Sequence, residues 1–212
     1  MSHVGDYAWA PLFAALAQSH QKLIPKQTLQ DLTTFKGEHN FTASTYYPPF
    51  DTVPRNISTW VSKDLTIGAQ SYKQISLGGP AQNQEAYNPA VVQWNTGSEI
   101  SFVSLYPSET ALDVTVGPGK LHLSYPRGNS SSIFSLLVGT FVKTPTIKGW
   151  SDLPGLRVNV SGNIDPKYEL SFGGSNGGSS GTLRDFELWN FTYTMPAKFE
   201  GTPVLTLDLR TL

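Results

Sequence analysis

The chain has no cysteine. That excludes disulfides, thiolate zinc sites and thiol catalysis, but it leaves the compartment open, because a domain of this size needs no covalent staples. Charge is scarce as well. Asp, Glu, Lys and Arg together make up 15% of the residues, and the formal net charge is -1, so there is no basic footprint for nucleic acid or an anionic membrane. No stretch approaches the roughly 18 apolar residues that a spanning helix needs. The four histidines, His3, His20, His39 and His122, show no metal-ligand spacing, and no metal or cofactor motif is present. A glycine-rich run, Gly173 to Gly181, lacks the helix that would have to open directly after it to cradle a phosphate. It reads as a hairpin loop.

Aromatic residues and glycosylation acceptors are plentiful. Trp 5, Tyr 9 and Phe 11 supply a sizeable core within 212 residues, a length that all-β folds commonly fill as one domain. Five N-x-S/T acceptors begin at Asn40, Asn56, Asn129, Asn159 and Asn190. With about ten asparagines and Ser plus Thr near a fifth of the chain, chance gives about two. The excess points to a secreted glycoprotein, whose used sequons must lie on an accessible surface. A cytoplasmic location is the alternative, because the apolar run Tyr7–Ala17 has no preceding Lys or Arg and is interrupted by Pro11. Leu12, Phe13 and Leu16 form a helical stripe there, and the spacing predicts a helix over residues 11–20.

The remainder reads as strands. Short runs of Val, Ile, Thr and aromatics alternate with Gly, Pro, Asn and Asp clusters from Thr28–Phe35 onward. In Lys120–Tyr125, Leu121, Leu123 and Tyr125 alternate with Lys120, His122 and Ser124; in Leu156–Gly162, Leu156, Val158 and Val160 alternate with Arg157, Asn159 and Ser161. Each has one core face and one wet face. Ile133–Val142 is apolar on both faces and fits a central strand. The expected fold is all-β: a two-sheet antiparallel β-sandwich of jelly-roll type with one short N-terminal helix, spanning residues 1–212 as one domain. A lipocalin-type barrel is second.

The segment Asp185 to Tyr193 carries the sharpest chemical signal. Strand periodicity puts Asp185, Glu187, Trp189, Phe191 and Tyr193 on one face. Carboxylates beside a Trp–Phe–Tyr stripe suit a carbohydrate, whose C–H face stacks on rings while its hydroxyls donate to carboxylates. The plainer account of the three aromatics is core packing. Trp150, after Gly149 in a loop, is a further ligand contact. Asp152, Asn163 and Asp165 sit beside Pro and Gly, where turn chemistry explains them better than calcium.

The sequence therefore supports two functions. One is a secreted carbohydrate-binding or carbohydrate-active protein. The other is a cofactor-independent cyclase or isomerase that takes a small apolar metabolite into an aromatic-lined cavity. Glu187, Asp185 and His122 are the candidate catalytic groups, His122 or Glu187 for the cyclase or isomerase, and Trp189, Phe191, Tyr193 and Trp150 the candidate ligand contacts. Neither nucleic acid nor a membrane span is expected, and oligomeric state is open.

Overall fold

The computed structural model describes residues 15, 23, 25–46, 48, 51–75, 88–97, 99–140, 147–177 and 185–212. The expected helix over residues 11–20 lies outside the described residues, apart from Ala15. Two compact units divide the chain, residues 1–37 and residues 38–212.

In the first unit, α1 (Lys26–Thr33) occupies a stretch whose sequence suggested a strand. Pro25 precedes its first turn, where a proline costs no hydrogen bond. Lys26, Gln27, Leu29 and Gln30 are good helix formers, and Gln27 Nε2 donates to Asp31 Oδ1 one turn on. Local helix propensity outweighed the Thr and Leu content that resembled a strand.

The second unit is all-β. Its strands are β1 (His39–Thr45), β2 (Arg55–Val61), β3 (Leu65–Lys73), β4 (Ala90–Asn95), β5 (Ile100–Pro107), β6 (Ala111–Gly117), β7 (Lys120–Ser124), β8 (Phe134–Thr140), β9 (Leu156–Gly162), β10 (Glu169–Gly177), β11 (Asp185–Tyr193) and β12 (Val204–Thr211). All pairings are antiparallel. The twelve strands form one continuous antiparallel sheet that curls into two sheets, β1-β2-β3-β4-β5-β8-β11-β10 and β6-β7-β12-β9.

β3 joins the two sheets. Leu65, Ile67 and Ala69 are buried in strict alternation, but the next buried residue is Tyr72, so the inward parity switches. Beyond that switch Tyr72 and Lys73 leave the β4 ladder and pair with Leu112 and Ala111 of β6. Tyr72 Oη fixes the bend by donating to the Glu109 carbonyl at 2.9 Å. The curled sheet stays open at the β9 and β10 edges.

A single core cluster contains both inner faces: Ile67, Val92, Leu105, Leu136 and Phe191 from one sheet, Leu121, Leu123, Leu156, Leu205 and Leu207 from the other. The alternating faces expected of β7 and β9 are present. β8 lies between β5 and β11, which explains a strand apolar on both faces. Trp60 and Trp94 are core residues. The turn Ser62–Asp64 separates β2 from β3. There the Ser62 N–H donates to the Leu65 carbonyl at 2.8 Å.

The glycine-rich run is also partly strand. β10 continues through Gly173 and Gly174 to Gly177, and the register against β11 shifts between Phe172 and Gly174. Gly174 has φ +112°, a conformation that glycine adopts without strain. The bulge lets pairing resume beyond it. Residues 178–184 lie outside the described residues.

Candidate ligand-binding site

β10 and β11 form the outer end of the first sheet, and their inner face is aromatic. Register places Phe172 opposite Trp189 and Leu170 opposite Phe191. Tyr168 stands just before β10 on the same face. Because side chains alternate along each strand, one continuous ramp results: Tyr193, Phe191 and Tyr168 inward, then Trp189 and Phe172, with Glu187 beyond.

The inward end is buried. Phe191 and Tyr193 are core residues, and Trp150 joins them from a 3-10 turn, Trp150–Asp152. The Trp150 ring stacks on Phe191 with centroids 4.0 Å apart, and its Nε1 donates to Tyr193 Oη at 2.7 Å. Tyr168 completes the group, 5.3 Å from Phe191 and 5.4 Å from Tyr193 between centroids. The loop position of Trp150 suggested surface contact, yet the indole is 7% exposed, because the 3-10 turn folds it onto the inner face. Burial pushes the Tyr193 hydroxyl up to about 12; the Trp150 donor opposes that rise and the neighbouring Tyr168 adds to it.

Beside this cluster lies a half-open cavity of about 240 Å³. Val160 and Gly162 of β9 face Tyr168 and Tyr193 across it, with Trp150, Ile164 and Pro166 closing the end. It therefore sits between the free edges of the two sheets. Its wall is largely apolar and aromatic, with two phenols and Ser161 as polar members.

The outward end of the ramp differs. Phe172 is 55% exposed, with its ring centroid 4.9 Å from that of Trp189 at an interplanar angle of 59°. Trp189 and Glu187 are half-buried. Trp189 Nε1 donates to Glu187 Oε2 at 3.3 Å, which holds one carboxylate oxygen; Oε1 has no hydrogen-bond partner among the described residues. Asp185 belongs to the same strand, but its side chain lies outside the described residues.

His122 is not part of this site. It projects from the outer face of β7, opposite Thr206, with Nδ1 2.9 Å from Thr206 Oγ1. Leu121 and Leu123 on that strand face the core, so the second sheet separates His122 from the aromatic ramp.

The structure thus joins Trp150, Phe191 and Tyr193, sets Trp189 and Glu187 beside them, and leaves His122 apart. Tyr168 and Phe172 were missed as site residues. Their alternation with Leu170 was visible in the sequence, but the β10–β11 register was not.

No group of three or more acidic or histidine residues suited to a metal occurs among the described residues. Asp152 Oδ2 accepts the Lys148 N–H at 2.7 Å, Asp165 Oδ1 accepts the Lys167 N–H at 2.9 Å, and Asn163 Oδ1 accepts the Val204 N–H at 2.7 Å. Asp152 and Asp165 thus close their own turns, and Asn163 ties the end of β9 to the start of β12, its Nδ2 donating to the Thr202 carbonyl at 2.8 Å. No helix among the described residues is long and apolar enough to cross a membrane.

Among known families, one described as a domain of unknown function, DUF8770, matches residues 37–210. The chain belongs to this family. The match coincides with the β unit and takes in the whole of the ramp and the cavity, so the site is part of the family domain. No curated protein and no solved structure matches the chain.

Proposed function

We propose that this DUF8770 domain binds carbohydrate along the β10–β11 ramp. The observation that carries the reading is the outer end of that ramp, where exposed Phe172 stands against Trp189 and the Glu187 carboxylate accepts the indole N–H. A pyranose has an apolar face and a hydroxyl-bearing rim. An exposed ring beside an oriented carboxylate meets both needs, and the indole bond pre-orders the carboxylate before ligand arrives. The half-open cavity at Tyr168 and Tyr193 offers a seat for a second sugar unit or a substituent.

The secretory reading accords with this. Asn40, Asn56, Asn129 and Asn159 are exposed and Asn190 is half-buried, so four acceptors stand where a glycan fits the folded domain.

The cyclase or isomerase reading rests on the cavity itself, which is aromatic and apolar. Among the described residues its lining holds neither a carboxylate nor an imidazole. A phenol held near 12 is a poor proton acceptor at neutral pH, so this reading comes second.

The test is binding to a panel of insoluble polysaccharides and immobilised glycans, with Phe172→Ala and Glu187→Gln alongside the unaltered chain. We expect retention on at least one glycan class, and a loss of about tenfold or more in affinity for Phe172→Ala, or about 1.4 kcal/mol. Retention on no glycan, or equal retention of Phe172→Ala, overturns the proposal.

A further inference from the structure

A second and larger cavity, about 380 Å³, opens on the outer face of the sheet β6-β7-β12-β9. Its chemistry is unlike that of the aromatic ramp. Arg157 of β9 and Arg210 of β12 are directly opposite in register, and both line it. Like charges in that position destabilise a sheet. No described carboxylate relieves them: Asp208, the acidic residue in the lining, is 3.3 Å from Lys120 Nζ, and neither arginine forms an ion pair within the described residues.

The cavity walls suit an oxyanion. Asn159, opposite Asp208 in register, contributes a side-chain amide. The β6–β7 turn, Pro118-Gly119, forms the facing wall. Gly119 has φ +62°, and its carbonyl accepts the Leu209 N–H at 2.7 Å. A Cβ there would lie 2.6 Å from the Leu209 carbonyl oxygen, so glycine is what lets the turn lean on β12 and define the pocket.

We infer that this pocket binds the oxyanion of a phosphate or sulfate monoester between Arg157 and Arg210. Two guanidinium forks side by side match the planar edges of such a group and bond it bidentately. The bound anion neutralises the pair and removes their repulsion. The volume falls within the usual range of small-molecule pockets, leaving room for the organic part of the ester. Asp208 faces the same space with its charge held by Lys120, which sets a net positive balance of Lys120, Arg157 and Arg210 against one carboxylate. This inference does not depend on the carbohydrate reading, since the pocket lies on the opposite face of its sheet from the core.

The experiment is titration calorimetry at low ionic strength, with glucose 6-phosphate, glucose 6-sulfate and inorganic phosphate as probes. The full chain is made in a host without N-glycosylation, because the Asn159 acceptor stands in the same cavity. We expect saturable binding of at least one ester, with the tighter ester identifying the source and free phosphate weaker than either. Arg157→Gln and Arg210→Gln should each weaken it about tenfold or more, equivalent to about 1.4 kcal/mol. Both side chains are exposed, so each variant should melt no lower than the unaltered chain without ligand. Absence of saturable binding by both esters up to about 10 mM, beyond the millimolar range of weak sites, overturns the inference. So does binding that survives both substitutions.

Discussion

Trp150 Nε1 donates a hydrogen bond to Tyr193 Oη at 2.7 Å, linking the 3-10 turn after β8 to the last residue of β11. Both residues are buried, which makes a lost partner costly to replace. The bond fixes the floor on which Phe191 and Tyr168 stack. Trp150→Phe keeps an aromatic ring but removes the donor. The expected cost is about 1–3 kcal/mol for an under-satisfied buried hydroxyl, read as a lower urea midpoint with unchanged slope. A change below about 0.5 kcal/mol, the level of an ordinary surface substitution, would refute the role assigned to this bond.

Alkaline pH tests the same region. Tyr193 is raised to about 12 by burial, and burial likewise holds the Tyr125 hydroxyl well above the ordinary tyrosine value of 10. The unfolded chain loses these protons first as pH rises through 10. The native state then binds more protons than the unfolded state, so stability falls as pH climbs from 10 toward 12. The slope approaches about 1.4 kcal/mol per pH unit for each such tyrosine. Below pH 10 the two contribute no pH dependence. Tyrosinate absorbance should show a late-titrating fraction, and Trp150→Phe should move it later still, because the indole donor favours the phenolate. Titration of all tyrosines together near pH 10 would contradict this.

The Asp51–Arg55 pair holds the start of β2. Arg55 Nε lies 2.7 Å from both carboxylate oxygens and Nη2 lies 2.6 Å from Oδ1, with both side chains at most 1% exposed. A buried charge that loses its partner costs about 3–5 kcal/mol. Asp51→Asn should therefore lower stability by about that amount in equilibrium denaturation. A loss under about 1 kcal/mol, typical of an exposed pair, would contradict the role assigned to this pair.

Glycan occupancy should follow exposure. Asn129 is the most favourably placed. It is exposed in a turn, and its Oδ1 accepts the Ser131 N–H at 2.8 Å. Asn190, half-buried in β11 between β8 and β10, has the least room. Secreted from a glycosylating host, the chain should carry sugar at Asn129 and none at Asn190, as read by peptide mass spectrometry. Occupancy at Asn190, or an empty Asn129, would contradict this.

The sequence by itself determined which residues face inward along most strands. Leu121, Leu123 and Tyr125, or Leu156 and Val158, are legible because side chains alternate and one face must be apolar. It also determined the all-β class and the central placement of β8. It misread residues 26–33, where Leu29 and Leu32 are the whole of the apolar stripe, too short a pattern to outweigh the Thr and Leu content that resembles a strand.

Tertiary structure alone decided what the aromatics do. Phe191 and Tyr193 share a strand face with Trp189 and Glu187, but only the pairing with β10 and the fold of the Trp150 turn bury the first two and leave the latter half-open beside exposed Phe172. The Arg157–Arg210 juxtaposition is likewise invisible in one dimension, since 53 positions separate them along the chain. The physical reason is common to both. Alternation is a local property of the backbone, whereas register between distant strands is set by burying many side chains at once, and no short window of sequence contains that balance.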